Sequence, residues 1–399
     1  MKNSINDNFS ENSSILASKI FLLFIIGFIP FLFNSCRKET NVKCKDCLVL
    51  SASLDHEEEI PLEKLFNKIE LIPLETVDNS LIRTISKYDF FNGKHYILDD
   101  TQSILFIFDN EGNYLDRIAK KGQGPGEYTL IYDFSLNPQR GQIEMLSPFG
   151  FIYSYDFEGN FIKRIDLTSI CTGPQRIQIF DDKNYIIWSS TDPEEDGIRI
   201  ISQDTGELVN SFWQDNIIIN SWQGSVFYRY NNEIYFSLAL YNTVYKATKD
   251  SVKTAYEWNF GNKTMDISRY KFSNNTGNFM LEQEELIRKI ESGEILYDYR
   301  NHFQNNQYYY ARLRFERRVT KNLFYHKKTG KSYFFEYPVE GIRFDLLYFT
   351  DECIVGTLRY NEKDKLLNCK LLNETNRQKL LSYKEDDNPY LIKYYFKEN

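Results

Sequence analysis

The sequence predicts an all-β chain folded as a six-bladed β-propeller, with a short helical insertion between blades four and five. Composition is the first support. The 399 residues include 29 Tyr, 31 Phe and 4 Trp but only 10 Pro, a balance that favours strands. The second is a repeat. Residues 107–118, IFDNEGNYLDRI, and 154–165, SYDFEGNFIKRI, match at Asp109/Asp156, Glu111/Glu158, Gly112/Gly159, Asn113/Asn160, Arg117/Arg164 and Ile118/Ile165, always 47 residues apart. That period is typical of propeller blades. The third is local chemistry. Apolar residues alternate on both sides of each copy, and Asp and Gly-Asn between them suit a tight hairpin.

In chain order, residues 20–33 form a 14-residue uncharged apolar run after Lys19. This is short for a bilayer span of ~20 residues and suits a signal-peptide core. It ends at Asn34-Ser35-Cys36, which resembles a bacterial lipobox. Residues 1–35 are therefore expected to be a lipoprotein signal peptide, with lipid attached to Cys36. A transmembrane anchor with a chance cysteine is the alternative. Residues 36–60 are polar, charged and without periodicity, and read as a flexible tether. Cys44-Lys-Asp-Cys47 lies in it without the strand–helix context of a redox motif or a second pair for zinc. A local disulfide or two idle thiols fits it better. The other cysteines, 171, 353 and 369, make no disulfide framework. Cys353 and Cys369 read as buried thiols on neighbouring strands, close enough to meet.

Residues 61–399 are the propeller domain. Weaker hairpins at Ile200–Leu208, Val244–Val252, Phe324–Lys331 and Lys370–Arg377 bring the outer hairpins to six. Each follows two further strand-like runs. The blades run roughly 82–118, 128–166, 174–213, 222–259, 295–338 and 343–383, four strands apiece. Two apolar pieces, 69–75 and 390–396, are left over. One or both should add a strand where the ring closes and cover an exposed edge. Residues 281–292 carry apolar positions at 281, 286, 287 and 290, acids early and Arg288-Lys289 late, before Gly293. These are the marks of a short helix. It either borders a binding site or is packing decoration.

At Lys121-Gly-Gln-Gly-Pro-Gly-Glu-Tyr128 the chain resembles the six-bladed β-propeller lipoproteins of Bacteroidetes, which are NHL-like propellers. The Asp-x-Glu-Gly-Asn turns and the closing Asn388-Pro389-Tyr390-Leu391 carry the same resemblance, over most of residues 65–399. It implies the fold and a place in the bacterial cell envelope, lipid-anchored, at the outer membrane. Only one acid lies in residues 37–40, where surface-export signals of such bacteria are richer in acids, so the periplasmic face is favoured.

The formal net charge is −8, which disfavours nucleic acid as a partner. Only four His are present, and none is marked as a metal ligand; neither a metal nor a cofactor is expected. Pro125 and the strand-like run 129–136 set the Gly-rich stretch apart from a dinucleotide loop and make it a turn between blades. Asp109-Asn-Glu-Gly and Asp181-Asp182-Lys-Asn lack calcium-loop spacing and read as turns. Asp99-Asp100 would point to opposite faces of a strand. No Gly-x-Ser-x-Gly elbow occurs.

Innermost strands line a propeller's channel. Their starts hold Arg176, Trp222, Tyr297 and Arg343. Two guanidinium forks and two large aromatics at one funnel suit a sugar or a small anion. The competing reading is that they plug the channel. The function expected is a non-enzymatic binding or scaffolding module for a glycan, peptide or protein, with the membrane a partner through the lipid. The alternative is a hydrolase or lyase acting at the channel mouth, since related propellers include both. A purely structural subunit is the third reading.

Overall fold

The computed structural model describes residues 47–189, 196–213, 226–267, 279–315 and 319–397. The repeated hairpin sets the pattern. Asp109 Oδ1 accepts the backbone N–H groups of Glu111 and Asn113 at 3.0 and 2.8 Å, and Asp156 holds Glu158 and Asn160 at the same distances. Gly112 and Gly159 take φ of 91° and 79°, a region costly for residues with a Cβ. Two sequence copies thus make one turn twice.

Six separate sheets form the propeller. Blade one is Lys87–Phe91, Lys94–Asp99, Ile104–Asp109 and Tyr114–Ile118, innermost strand first. Blade two is Asp133–Asn137, Gln142–Ser147, Phe151–Asp156 and Phe161–Asp166. Blade three is Arg176–Ile179, Asn184–Trp188, Ile198–Ser202 and Leu208–Phe212. Blade four is Phe227–Tyr230, Glu233–Phe236, Thr243–Ala247 and Val252–Asn259. Blade five is Asp298–Gln304, Tyr308–Arg314, Thr320–His326 and Ser332–Phe335. Middle strands such as Asn184–Trp188 are buried on both faces, because each sheet packs between two neighbours, whereas the outer strand Phe161–Asp166 is largely exposed.

Blade six closes the ring with both leftover segments. Its strands are Leu346–Phe349, Cys353–Leu358, Tyr390–Phe396 and, outermost, Phe66–Ile72 from the other end of the chain. Phe66 packs against Phe324, Phe344, Tyr394 and Phe396, with ring centroids 5.3–6.5 Å apart. The hairpin expected at Lys370–Arg377 is not there. Asn373 instead caps the helix Glu374–Ser382, its side chain accepting the Asn376 N–H at 2.9 Å. The reason lies in the closing strand. Asn376 bonds the N–H of Leu71 and the carbonyl of Ile69, and Lys379 bonds the carbonyl of Leu71. The segment covers the outer edge of Phe66–Ile72 rather than supplying that strand.

The tether expected over 36–60 is likewise corrected from residue 47 onward. Leu48–Ser51 pairs in parallel with Tyr256–Asn259 and makes blade four five-stranded. Leu50, Leu54 and Ile60 are buried. Glu58 N–H donates to the Phe334 carbonyl at 2.8 Å, and Glu57 pairs with Lys321 at 2.7 Å. Three widely spaced apolar residues anchor a segment that otherwise looks like linker. Cys36 and Cys44 lie outside the described residues. Cys353 and Cys369 are free thiols.

The helical insertion spans Phe279–Glu291 and buries Leu286 and Ile290 beside Met265 and Tyr297. No described helix is long and apolar enough to cross a membrane. The Gly-rich stretch links blades one and two. Its Gly122 and Gly124 N–H groups bond the Tyr128 carbonyl and the Glu127 carboxylate. Tyr128 is fully buried, its hydroxyl on the carbonyls of Ser103 and Ile118.

Candidate functional site: the central cavity

An innermost strand has no neighbour on its axial side, so its backbone needs other partners. Side chains from adjoining blades supply them. Asp133 accepts the Ile177 N–H at 2.8 Å and Ser135 the Ile179 N–H at 3.1 Å. Lys87 bridges to Asp133 at 2.7 Å and also reaches the Ile177 carbonyl. Arg229 donates to the carbonyls of Ile179 and Asn232. Arg312 pairs with Asp345 at 2.6 Å and bonds Thr320 at 2.9 Å. Polar side chains thereby stitch blade to blade around the axis.

Within this wall lies a cavity of about 980 Å3, lined by the innermost strands of all six blades. That is the upper end of the range for ligand pockets. Arg83, Arg359, Tyr360, Glu385 and Asp387 line the part beside blades six and one. Four of these, all but Arg83, lie in the connection between strands Cys353–Leu358 and Tyr390–Phe396 of blade six, before and after the helix Glu374–Ser382. Arg83 is positioned through Asp99, whose carboxylate accepts the N–H groups of Arg83 and Thr84 at 2.7 and 3.1 Å. Burial opposes ionisation of Asp99, but hydrogen bonds led by Thr101 and Gln102 hold its pKa below the ordinary value. It is a scaffold carboxylate, not half of a catalytic pair. Also in the lining are Phe91, Phe303 and Phe349, the last two stacked at 5.8 Å.

Asp89 is the exceptional group of the lining. One oxygen accepts the Phe90 N–H at 2.8 Å. Desolvation pushes its carboxyl up to about 6, against the opposing pull of Lys87 and Arg229. A carboxyl in this range accepts or releases a proton near neutral pH.

Of the four residues read from sequence as ligand contacts, Arg176 lines the cavity. Tyr297 does not. It is fully buried, its hydroxyl 3.0 Å from Asn242 Oδ1, packed against Phe260 and Phe315. Arg343 lines a separate small niche with Glu336 and Tyr337. Trp222 lies outside the described residues. Asp89, Lys87 and Arg229 were missed. Their signal was charge at every second position of a strand that is otherwise apolar or aromatic: Lys87-Tyr-Asp89-Phe, and Phe227-Tyr-Arg229. Among the described residues, no three His, Cys, Asp or Glu converge as a metal site.

A family model described as a domain of unknown function, DUF4934, matches residues 46–395. No curated protein matches. The chain is similar in fold to a Bacteroides fragilis protein described as exported, at TM-score 0.66 and 16% identity, covering 88% of this chain and 100% of that one. It is also similar to a member of the duf4221 family from Bacteroides vulgatus, at TM-score 0.50 and 13% identity, covering 83% and 98%.

Proposed function

The chain belongs to the DUF4934 family, and we propose that it is an exported binding module whose ligand enters the central cavity. The observation that carries this reading is the cavity itself. About 980 Å3 of space at the axis is lined by charged and aromatic side chains instead of being filled by them. Export is supported by the Bacteroides fragilis neighbour, described as exported, and by the apolar run 20–33 ending at Cys36. On this reading residues 1–35 are the signal peptide and Cys36 carries the lipid that tethers the module to the bacterial envelope, at the periplasmic face of the outer membrane. Ligands of the right size are glycans and peptides; a docked protein would use the rim.

Thermal melting of the purified chain against glycans and peptides tests the reading, since a ligand that binds only the folded state raises the melting temperature. A shift lost in Arg176→Ala supports it, and a shift unaffected by every cavity substitution refutes it. Cys36→Ala should release the chain from the membrane fraction; retention there would refute lipid anchoring. A hydrolase or lyase reading draws on Asp89, placed to exchange a proton at neutral pH. Turnover of a bound ligand that disappears in Asp89→Asn would establish it.

A further inference from the structure

We propose that the cavity takes an uncharged, polyhydroxylated ligand, a neutral oligosaccharide, with Asp89 accepting hydrogen bonds from its hydroxyl groups. This rests on the reading that the cavity is the ligand site and narrows it to one chemical class.

Charge balance is the first argument. The lining carries six Lys or Arg and five Asp or Glu. Such near-cancellation gives no strong field to select a fixed charge of either sign.

The second argument is which of these groups are already used. Lys87 is committed to Asp133, Arg312 to Asp345, and Arg229 to backbone carbonyls. Asp89 differs. Its Oδ1 holds the adjacent Phe90 N–H, and its Oδ2 has no hydrogen-bond partner among the described residues. An open carboxylate oxygen in the cavity lining can take a hydrogen bond from a ligand in place of water.

The third argument discriminates among donors. Asp89 lies within electrostatic reach of Lys87 and Arg229. An ammonium brought to it would be repelled by both, and an anion by Asp89 itself. A hydroxyl carries no net charge and donates to Asp89 without meeting either repulsion. Gln178, also in the lining, offers an amide that both donates and accepts. Phe91, Tyr348 and Phe349 add aromatic surface for the apolar faces of sugar rings.

The test is direct binding of the purified full chain to a broad array of neutral oligosaccharides. Oligogalacturonates, chitosan oligomers and peptides run in parallel. Three variants accompany it, each checked by thermal melting: Asp89→Ala, Asp89→Asn, and Gln178→Trp, which fills cavity space. The expected result is a neutral oligosaccharide whose Kd rises about tenfold or more in Asp89→Ala. Asp89→Asn should weaken it less, and Gln178→Trp should abolish it, with melting preserved. Oligogalacturonate, chitosan or peptide binding that Gln178→Trp abolishes, with no neutral sugar bound, overturns the ligand class and leaves the cavity reading standing. Neutral-sugar binding indifferent to Gln178→Trp and to Asp89 overturns both. An array to which no neutral sugar binds overturns the inference.

Discussion

His302 offers a sharp test of the packing between blades. It sits on the innermost strand of blade five, 1% exposed, with its ring 4.6 Å from that of Tyr299. Neither ring nitrogen has a hydrogen-bond partner among the described residues. Burial alone pushes its pKa from 6.5 down to about 3. The sign follows from linkage. Below pH 6.5 the unfolded chain takes up a proton that the folded chain refuses, so stability falls as pH falls and keeps falling until about pH 3. At pH 5 the unfolded imidazole is almost fully protonated and the folded one neutral. The 1.5-unit gap between pH 5 and 6.5 is worth about 2 kcal/mol, against a few tenths at pH 7. The figure requires only that the folded pKa lie below about 4. His302→Leu removes the titrating group and both orphan nitrogens at similar volume. We expect it to be more stable than wild type by about 1–3 kcal/mol at pH 7. The advantage should widen by about 2 kcal/mol at pH 5. Urea unfolding followed by tryptophan fluorescence at the two pH values measures both. His95, also pushed down by burial, titrates in both proteins and cancels from the comparison. Equal losses in wild type and variant between pH 7 and pH 5 would refute the assignment of His302 as a desolvated neutral imidazole.

Three further outcomes follow from the geometry. Phe66→Ala empties an aromatic cluster at the ring closure, where Phe66 is wholly buried; a loss of about 3–5 kcal/mol is expected on urea unfolding. Gly112→Ala should cost well over 1 kcal/mol, because φ is 91° and a Cβ would lie 2.1 Å from the Pro73 carbonyl oxygen. Gly141→Ala, with φ of 65° and nothing within 4 Å, should cost only about 1 kcal/mol, and equal melting shifts would refute the steric argument. Asp89→Asn tests the cavity carboxyl. Its folded pKa of about 6 lies above the ordinary 3.8, so the folded state bears a cost that grows from pH 4 to 6 and persists above. The variant should gain about 1–3 kcal/mol over wild type at pH 7.5, the upper figure reduced by water in the cavity, and only a few tenths at pH 4. A pH-independent difference would count against that pKa.

Much of the architecture was legible because it is local. The Asp-x-Glu-Gly-Asn turns, the alternation of apolar residues and the helix before Gly293 each lie within a dozen residues, and all appear where read. Blade six was the exception. Its third and fourth strands are 390–396 and 66–72, and the bond from Tyr395 to Glu70 spans 325 positions. The run 370–377 had turn-forming residues and was read as a hairpin. Its Asn373 is equally a helix cap, and only the strand already occupying the outer place decides between them. The cavity was harder to read. Arg176 stands at a strand start that lines the cavity, whereas Tyr297, two residues before the bulge between Tyr299 and Asn301, turns into the core between blades four and five.

The sequence alone determined the repeat unit, the number of blades and the presence of two unplaced strands. A hairpin's turn chemistry and a strand's apolar face act between neighbours in the chain. Only the tertiary structure decided that both spare strands would meet in blade six and that residues 47–60 would lie along blades four and five. It also decided which charges would neutralise one another around the axis and which carboxylate, Asp89, would be left with an open oxygen. Those outcomes depend on the order in which blades are set around the ring. That order joins residues hundreds of positions apart through packing, which no local period encodes.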